Sequence, residues 1–354
     1  MITFARPRLR AGVLRGCGLG LLLVALMVFG AACGIGPAPA QPETGDSADS
    51  ADAAGPADAA DGVTGSNAGD EAPAPDVDFP YTFTDDAGRT VTIERRPERI
   101  ITLAPSHTEV LFAIGAGDRV VGVDSFSDYP AEAADLPRLG GLTDTNYEQI
   151  VALAPDLALT IGGTEEQVAR LEDLGILVVV SQPETLDDVL ASIEHLGRVV
   201  GAREGAARVV AEMRGRIDAV ARAVAGVPET ERVRVFLEIW NDPLMSVGPG
   251  AFMHDLIQAA GGVNIFADAD SPWPVVSLEA VVERDPQVVI TLFDEAYEQL
   301  LAGERAGWEG VSAVRDGRVL LVDENLISRP GPRLVDGLEQ MARFFYPDLL
   351  GQEP

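Results

Sequence analysis

The sequence predicts an α/β protein of two lobes with parallel sheets, joined by one long helix. Three observations lead there. Strand-like and helix-like segments alternate along the chain, pause at residues 203–227, and then alternate again. The pause reads as one helix. Val209, Met213, Ile217, Val220 and Val224 form a single apolar stripe, and Arg208, Glu212, Arg214, Arg216, Asp218 and Arg222 occupy much of the rest. Finally, the two sides repeat each other. Residues 146–160 align without gaps on residues 277–291, sharing a glutamate, an Ile/Val-Val pair, a proline, alternating aliphatics and a final threonine. Residues 110–115 likewise echo residues 256–261. Alone, residues 203–227 fit an ordinary packed helix as well as a rigid strut. The repeat across them favours the strut, since connections between α/β units are usually short.

The first 78 residues precede this architecture. Arg6, Arg8, Arg10 and Arg15 form a basic start, Gly18 to Phe29 an apolar run too short for a stable bilayer span, and Gly30-Ala31-Ala32-Cys33 a small-residue end. That order resembles a bacterial lipoprotein signal over residues 1–32, with Cys33 as the lipidated first residue of the exported chain. An uncleaved anchor and a plain secretory signal are the alternatives, and each exports the chain. Gly34 to Asp78 has ten acidic residues, no basic one and almost no large apolar side chain. It cannot bury enough apolar surface to offset chain entropy, so it is expected to be a disordered tether.

The expected lobes follow in order. Phe79 to Ile93 alternates about Asp85-Asp86-Ala87-Gly88 as a hairpin. Arg99 to Ala104 is a buried-type strand. A helix from Val110 to Ile114 follows, with Ser106 and Glu109 spaced as a capping box, and then a strand from Arg119 to Val123. Asn146 caps a helix ended by Pro155; Leu157 to Ile161 and Gly175 to Val180 are strands around a helix at Glu165 to Leu174; Thr185 caps a helix to Val200. These complete a first lobe at 79–202. The second lobe, 228–354, has strands at Arg232 to Ile239, Gln287 to Leu292 and Arg318 to Val322. Its helices are expected at Phe252 to Ala260, Leu278 to Glu283, Glu298 to Trp308, Val311 to Val314 and Pro332 to Phe345.

Composition narrows the function. The net charge is −30, and every basic residue is arginine, which argues against nucleic acid and against anionic membrane surfaces as direct partners. Both cysteines, Cys17 and Cys33, lie in the leader region, so the folded part has neither a disulfide nor a thiolate site. No phosphate-loop or nucleophile-elbow motif occurs, the three histidines show no metal-ligand spacing, and adjacent Ser106 and His107 rarely face each other, so an enzyme is not expected. Ligands of parallel sheets bind beyond the strand carboxyl ends, which selects the loops after Ala104, Val123, Ile161, Ile239 and Val322. There His107, Phe126, Tyr129, Met245 and Arg329 are candidate ligand contacts, with Arg333 the alternative to Arg329. Pro272 and Pro274 flank Trp273 and restrict its backbone, presenting the indole either as a cleft wall or as a core plug. Trp308 is expected in the core. Glu148 and Glu279 occupy matching first-turn positions. There they either complement the helix dipole or serve, one per lobe, as docking carboxylates for arginines of a partner.

Residues 99–109, Asp128-Tyr-Pro130, the Glu148 segment, residues 273–279 and residues 329–333 together resemble the substrate-binding proteins of ABC importers for cobalamin, ferric siderophores and haem. The resemblance covers Phe79 to Leu350. It implies two Rossmann-like lobes bridged by a rigid helix with a ligand cleft between the lobes, a monomer that gives its ligand to a permease and ATPase, and Glu148 and Glu279 docked on that permease. Phe126-Ser-Asp-Tyr-Pro and Pro-Trp-Pro resemble the cobalamin receptors most, implying a corrin site lined by Phe126 or Tyr129 and by Trp273. Cobalamin receptors can carry a further tryptophan before the first docking segment. This chain has Gly140-Gly-Leu-Thr-Asp there, and a ferric siderophore or haem is the alternative ligand. The protein itself is expected to need no cofactor or metal.

Overall fold

The computed structural model describes residues 79–162 and 165–350. The leader, Cys33 and the acidic tether lie outside the described residues. The chain enters through an antiparallel hairpin, β1 (Tyr81–Thr84) and β2 (Thr90–Ile93). The first lobe then builds a parallel sheet from β3 (Ile100–Thr102), β4 (Val120–Val123), β5 (Leu157–Thr160) and β6 (Leu177–Val180), in the order β4-β3-β5-β6. The second lobe uses β7 (Arg234–Glu238), β10 (Val263–Asn264), β11 (Val288–Thr291) and β12 (Val319–Leu321), in the order β10-β7-β11-β12. Each sheet therefore starts at an inner strand, places the next on one side and the remaining two on the other. Every residue of β5 and β11 is buried, which is why both read as continuous aliphatic runs rather than as alternating strands.

The internal repeat is geometric as well as sequential. Helices α2 (Tyr147–Leu153) and α7 (Leu278–Arg284) are each seven residues long. Asn146 Oδ1 accepts the amide of Gln149 at 3.0 Å, and Ser277 Oγ accepts that of Ala280 at 3.2 Å. Both helices end on a left-handed residue that is not glycine, Ala154 at φ 45° and Asp285 at φ 41°. The second echo matches too. Helices α1 (Pro105–Ala113) and α6 (Phe252–Ala259) are each followed by a glycine, Gly115 at φ 84° and Gly261 at φ 83°. In both, the next amide closes back on the helix at 2.8 Å, Ala116 on Leu111 O and Gly262 on Ile257 O. A side chain at φ near +80° would be strained, so glycine makes both stops cheap.

The connecting helix, α5 (Arg203–Val224), is 22 residues long and so about 33 Å. It packs on α4 (Leu186–Val199) and on α11 (Leu334–Phe345). Its buried face is Gly205, Ala206, Val210, Met213, Val220 and Val224. Val209 and Ile217 of the expected stripe are only half-buried; near Val209 the small residues Gly205 and Ala206 carry the contact. A Cβ on Gly205 would lie 1.9 Å from the carbonyl oxygen of Ile114, so glycine is what lets the strut press on the end of α1. Farther along, Arg216 pairs with Asp336 at 2.6 Å and Glu339 at 2.8 Å, both on α11. The lobes also meet without the strut. The amide of Leu186 donates to Asp255 of α6 at 3.0 Å, and Leu186, Val189, Ile193, Met253 and Ile257 belong to one continuous apolar core.

Several expectations are corrected. Ser106 and Glu109 form no capping box: α1 begins at Pro105, four residues before Glu109, with Ala104 as a cap that makes no side-chain bond. Proline fixes the start there, and the Glu109 carboxylate is committed elsewhere. The helix expected at Glu298 to Trp308 is α8 (Asp294–Ala302), stopped by left-handed Gly303. Trp308 lies beyond it, buried in the core with its ring centroid 5.7 Å from that of Phe236. A four-residue helix follows, α9 (Ser312–Arg315), and another, α10 (Glu324–Ile327), precedes α11. The last long helix starts at Leu334 rather than Pro332. Helix α3 (Glu165–Asp173), α4 and the capping box of Thr185 with Asp188 agree with the sequence. The hairpin β8 (Trp240–Asn241) with β9 (Leu244–Met245) is too short for a periodic pattern.

Candidate ligand cleft between the lobes

The carboxyl ends of both sheets face one cleft of about 1610 Å³. All five loops selected from the sequence contribute to it, through Ala104, Phe126, Ile161, Trp240 and Asp323, and the ends of β6 and β11 add Gln182 and Phe293. Ligand pockets commonly measure about 300–1,000 Å³, so this one suits a ligand larger than a typical small molecule.

One wall comes from the first lobe. The turn after β4 is built on Asp124, which is buried and whose carboxyl is pushed upward in pKa by that burial. Its two oxygens accept the amide of Phe126 at 2.7 Å and, through a short bond, the hydroxyl of Ser127. This holds Phe126 at the cleft. The opposite wall is the second lobe's. Trp240 follows β7 directly, and its Nε1 donates to the carbonyl of Asp242 at 2.8 Å. Trp273 is presented by a ladder that asks no N–H of its flanking prolines. Pro274 O accepts the amide of Ser246 at 3.1 Å and Pro272 O that of Gly248 at 2.9 Å. Prolines can only accept, so they are suited to this edge. The amide of Trp273 itself donates to Ser271 Oγ at 3.2 Å.

Two arginines line the cleft, and both are already neutralised. Arg305 reaches Glu238, the wholly buried last residue of β7, with its two terminal nitrogens at 2.7 and 2.5 Å, and its guanidinium lies 4.7 Å from the Trp308 ring centroid. Arg329 donates to Glu109 at 3.0 Å, Asp128 at 2.7 Å and Phe126 O at 3.1 Å. Against them the lining carries Asp128, Glu184, Asp242, Asp294, Glu295, Asp323 and Glu324. Burial pushes the Glu324 carboxyl upward. The cleft is thus acidic.

Of the expected contacts, the structure brings Phe126, Trp273 and Arg329 to the cleft. It does not bring His107, Tyr129 or Met245. His107 lies inside α1, not in a loop, and is 3% exposed; its Nε2 donates to the carbonyl of Ser181 at 3.0 Å. Desolvation lowers its pKa to about 4. Tyr129 is 46% exposed, with its ring under the guanidinium of Arg333 at 4.2 Å. Met245 is buried in the core, because β9 turns its side chain inward to pack; Met253 of α6 lines the cleft instead. Arg333 does not line the cleft either, being bound to Glu109 at 2.6 and 2.8 Å. Glu148 and Glu279 are both exposed on matching helices, away from the cleft lining. Trp240 was missed, although the strand-end rule selects the loop after Ile239 and an indole directly follows it. Arg305 carried no sequence signal, since its partner is 67 residues away.

Among the described residues, no cluster of His, Cys, Asp or Glu could hold a metal ion. The family described as periplasmic binding protein matches residues 100–326. An uncharacterized ABC transporter substrate-binding lipoprotein of Bacillus subtilis is 32% identical over 276 residues, covering 76% of this chain and 87% of that one. Two solved structures share the fold. A periplasmic vitamin B12 binding protein of Vibrio cholerae has a TM-score of 0.61 and 32% identity, covering 70% of this chain and 96% of its own. A periplasmic heme binding protein of Pseudomonas aeruginosa has a TM-score of 0.64 and 27% identity, covering 72% and 94%. Two lobes of like topology around a shared cleft, and a match across nearly all of both sheets, give one conclusion: the chain belongs to the periplasmic binding protein family, as a substrate-binding component of an ABC importer and not an enzyme.

Proposed function

We propose that this protein captures a corrinoid of the cobalamin type at the extracytoplasmic face of the membrane and delivers it to an ABC permease and its ATPase. The observation that carries this is the cleft of about 1610 Å³ walled by Phe126 from one lobe and by Trp240 and Trp273 from the other. Flat apolar faces on two sides suit a large planar ring. The acidic lining supports a neutral or cationic corrinoid over haem or a catecholate iron chelate, whose carboxylates and catecholates would meet like charge. The vitamin B12 binding relative, more similar in sequence than the heme binding one, supports the same choice. In this proposal residues 79–202 and 228–354 are the jaws and residues 203–227 the spacer. Cys33 carries a lipid, with residues 34–78 as its tether. The protein works as a monomer, and Glu148 and Glu279 dock on arginines of the permease.

The test is equilibrium dialysis of residues 34–354 against cyanocobalamin, haemin and a ferric tris-catecholate, followed by absorbance. Saturable one-to-one binding of cyanocobalamin at or below about 1 μM is expected, a binding free energy of about −8 kcal/mol. No uptake at ten times that concentration, or preferred uptake of haemin or the iron chelate, overturns the corrinoid assignment and leaves the importer family untouched. Charge reversal of Glu148 and Glu279 to arginine is expected to abolish uptake by cells without changing affinity. A fall in affinity would place those acids in binding or folding.

A further inference from the structure

The cleft aromatic of the first lobe is held in part by the second lobe. The base of the turn at residues 124–130 is fixed within its own lobe. There Asp124 accepts from Phe126 N and Ser127 Oγ, and Ser127 Oγ lies 2.7 Å from Thr108 Oγ1. Arg138 donates to Ser127 O at 2.5 Å. The tip is fixed from across the cleft. Arg329 donates to Phe126 O at 3.1 Å and to Asp128 Oδ1 at 2.7 Å, and the Arg333 guanidinium lies 4.2 Å from the Tyr129 ring centroid. Both arginines are anchored in turn on one carboxylate of the first lobe, Glu109, whose side chain is only 2% exposed. Arg333 reaches it with Nε at 2.8 Å and a terminal nitrogen at 2.6 Å, and Arg329 at 3.0 Å. This planar fork geometry is what guanidinium supplies and ammonium does not.

We infer that Arg329 and Arg333 are positioning residues for ligand recognition: from the second lobe they set where Phe126 of the first lobe stands in the cleft. This rests on the cleft being the ligand site. The aromatic wall and the gap between the lobes are then one variable. A shift of the second lobe drags the Phe126 carbonyl and Asp128 with it, and a ligand pressing on Phe126 pushes on the segment leading into α11, which packs along the strut. Breaking a charge pair buried at this depth leaves an uncompensated group, so the device is stiff rather than compliant.

Two measurements test this on residues 34–354, which contain no cysteine. In the ligand-free protein, nitroxides on Ser125→Cys, at the turn, and Glu166→Cys, on the exposed face of α3, report the place of the turn within its own lobe. Arg329→Met is expected to broaden and displace that distance distribution, Arg333→Met to do so less, and Arg329→Lys to restore it only in part. An unchanged distribution in both methionine variants overturns the inference. The second measurement uses cyanocobalamin as probe in a double-mutant cycle. Arg329→Met is expected to weaken binding about tenfold alone and less than about twofold in a Phe126→Ala background. Equal losses in both backgrounds would show that Arg329 does not act through Phe126. Melting by circular dichroism confirms which variants are folded; if Arg329→Met is not, Arg333→Met and Arg329→Lys carry both measurements. If the parent protein binds no cyanocobalamin, the corrinoid assignment fails and the spin-label distances alone decide the positioning.

Discussion

Residues 146–160 and 277–291 form one module built twice, with the same helix length, side-chain N-cap, left-handed stop and buried strand. The strand ends just beyond are not alike. The first strand of the first lobe's parallel sheet, β3, ends on Thr102, whose buried hydroxyl meets Thr108 at 2.6 Å. The first strand of the second lobe ends on Glu238, a buried carboxylate that needs Arg305. Helix α1 carries His107 where the matching helix α6 carries Met253; both are buried, and Met253 also borders the cleft. The frame that holds the lobes is repeated because its parts are local. The strand ends differ because each lobe packs a different set of buried polar groups behind the cleft.

The contrast between the two strand ends gives the largest expected effect. Arg305→Met should cost about 3–5 kcal/mol by urea unfolding, since it strands a buried carboxylate. Thr102→Val should cost about 1 kcal/mol, the worth of a neutral hydrogen bond. Equal costs would remove the distinction between a charged and a neutral plug.

His107 yields the next largest effect, as a function of pH. Its folded pKa is lowered to about 4 by burial, below the ordinary value of 6.5. Between these values the unfolded chain binds the extra proton, so stability is full above about 6.5 and declines as pH falls toward 4, by up to about 3 kcal/mol. His107→Gln should flatten that slope in unfolding curves taken across this range. An identical slope in the variant would mean another group titrates.

A smaller effect is expected in the cleft. Trp273→Ala should weaken cyanocobalamin binding by about 2 kcal/mol, roughly thirtyfold, as an aromatic anchor on a rigid support. Val151→Ala, on an exposed helix of the other lobe, should leave it unchanged; equal losses would mean the cleft is misplaced. The smallest effect separates the two left-handed stops. Ala154→Gly should stabilise by about 1 kcal/mol by relieving a Cβ clash. Asp285→Gly should not, because its carboxylate accepts from the amide and hydroxyl of Ser312, each at 2.7 Å. Matched gains in melting temperature would show the two stops to be equivalent after all.

The sequence by itself determined the frame. The periodic helix, expected at 203–227 and found at 203–224, the caps at Asn146 and Thr185, the buried strands and the repeat are set by residues within a few positions of one another, where backbone sterics and local hydrogen bonds act. It also pointed to Phe126, Trp273 and Arg329, each within a few residues of a proline or a strand end. Tertiary structure decided the rest. Whether His107 and Met245 face a ligand or a core depends on what packs over them, and composition does not show it. That Glu109 meets Arg329 and Arg333 depends on pairing residues 220 and 224 positions apart. Contacts across such separations are created by the docking of one lobe on the other, and no local pattern in the chain encodes them.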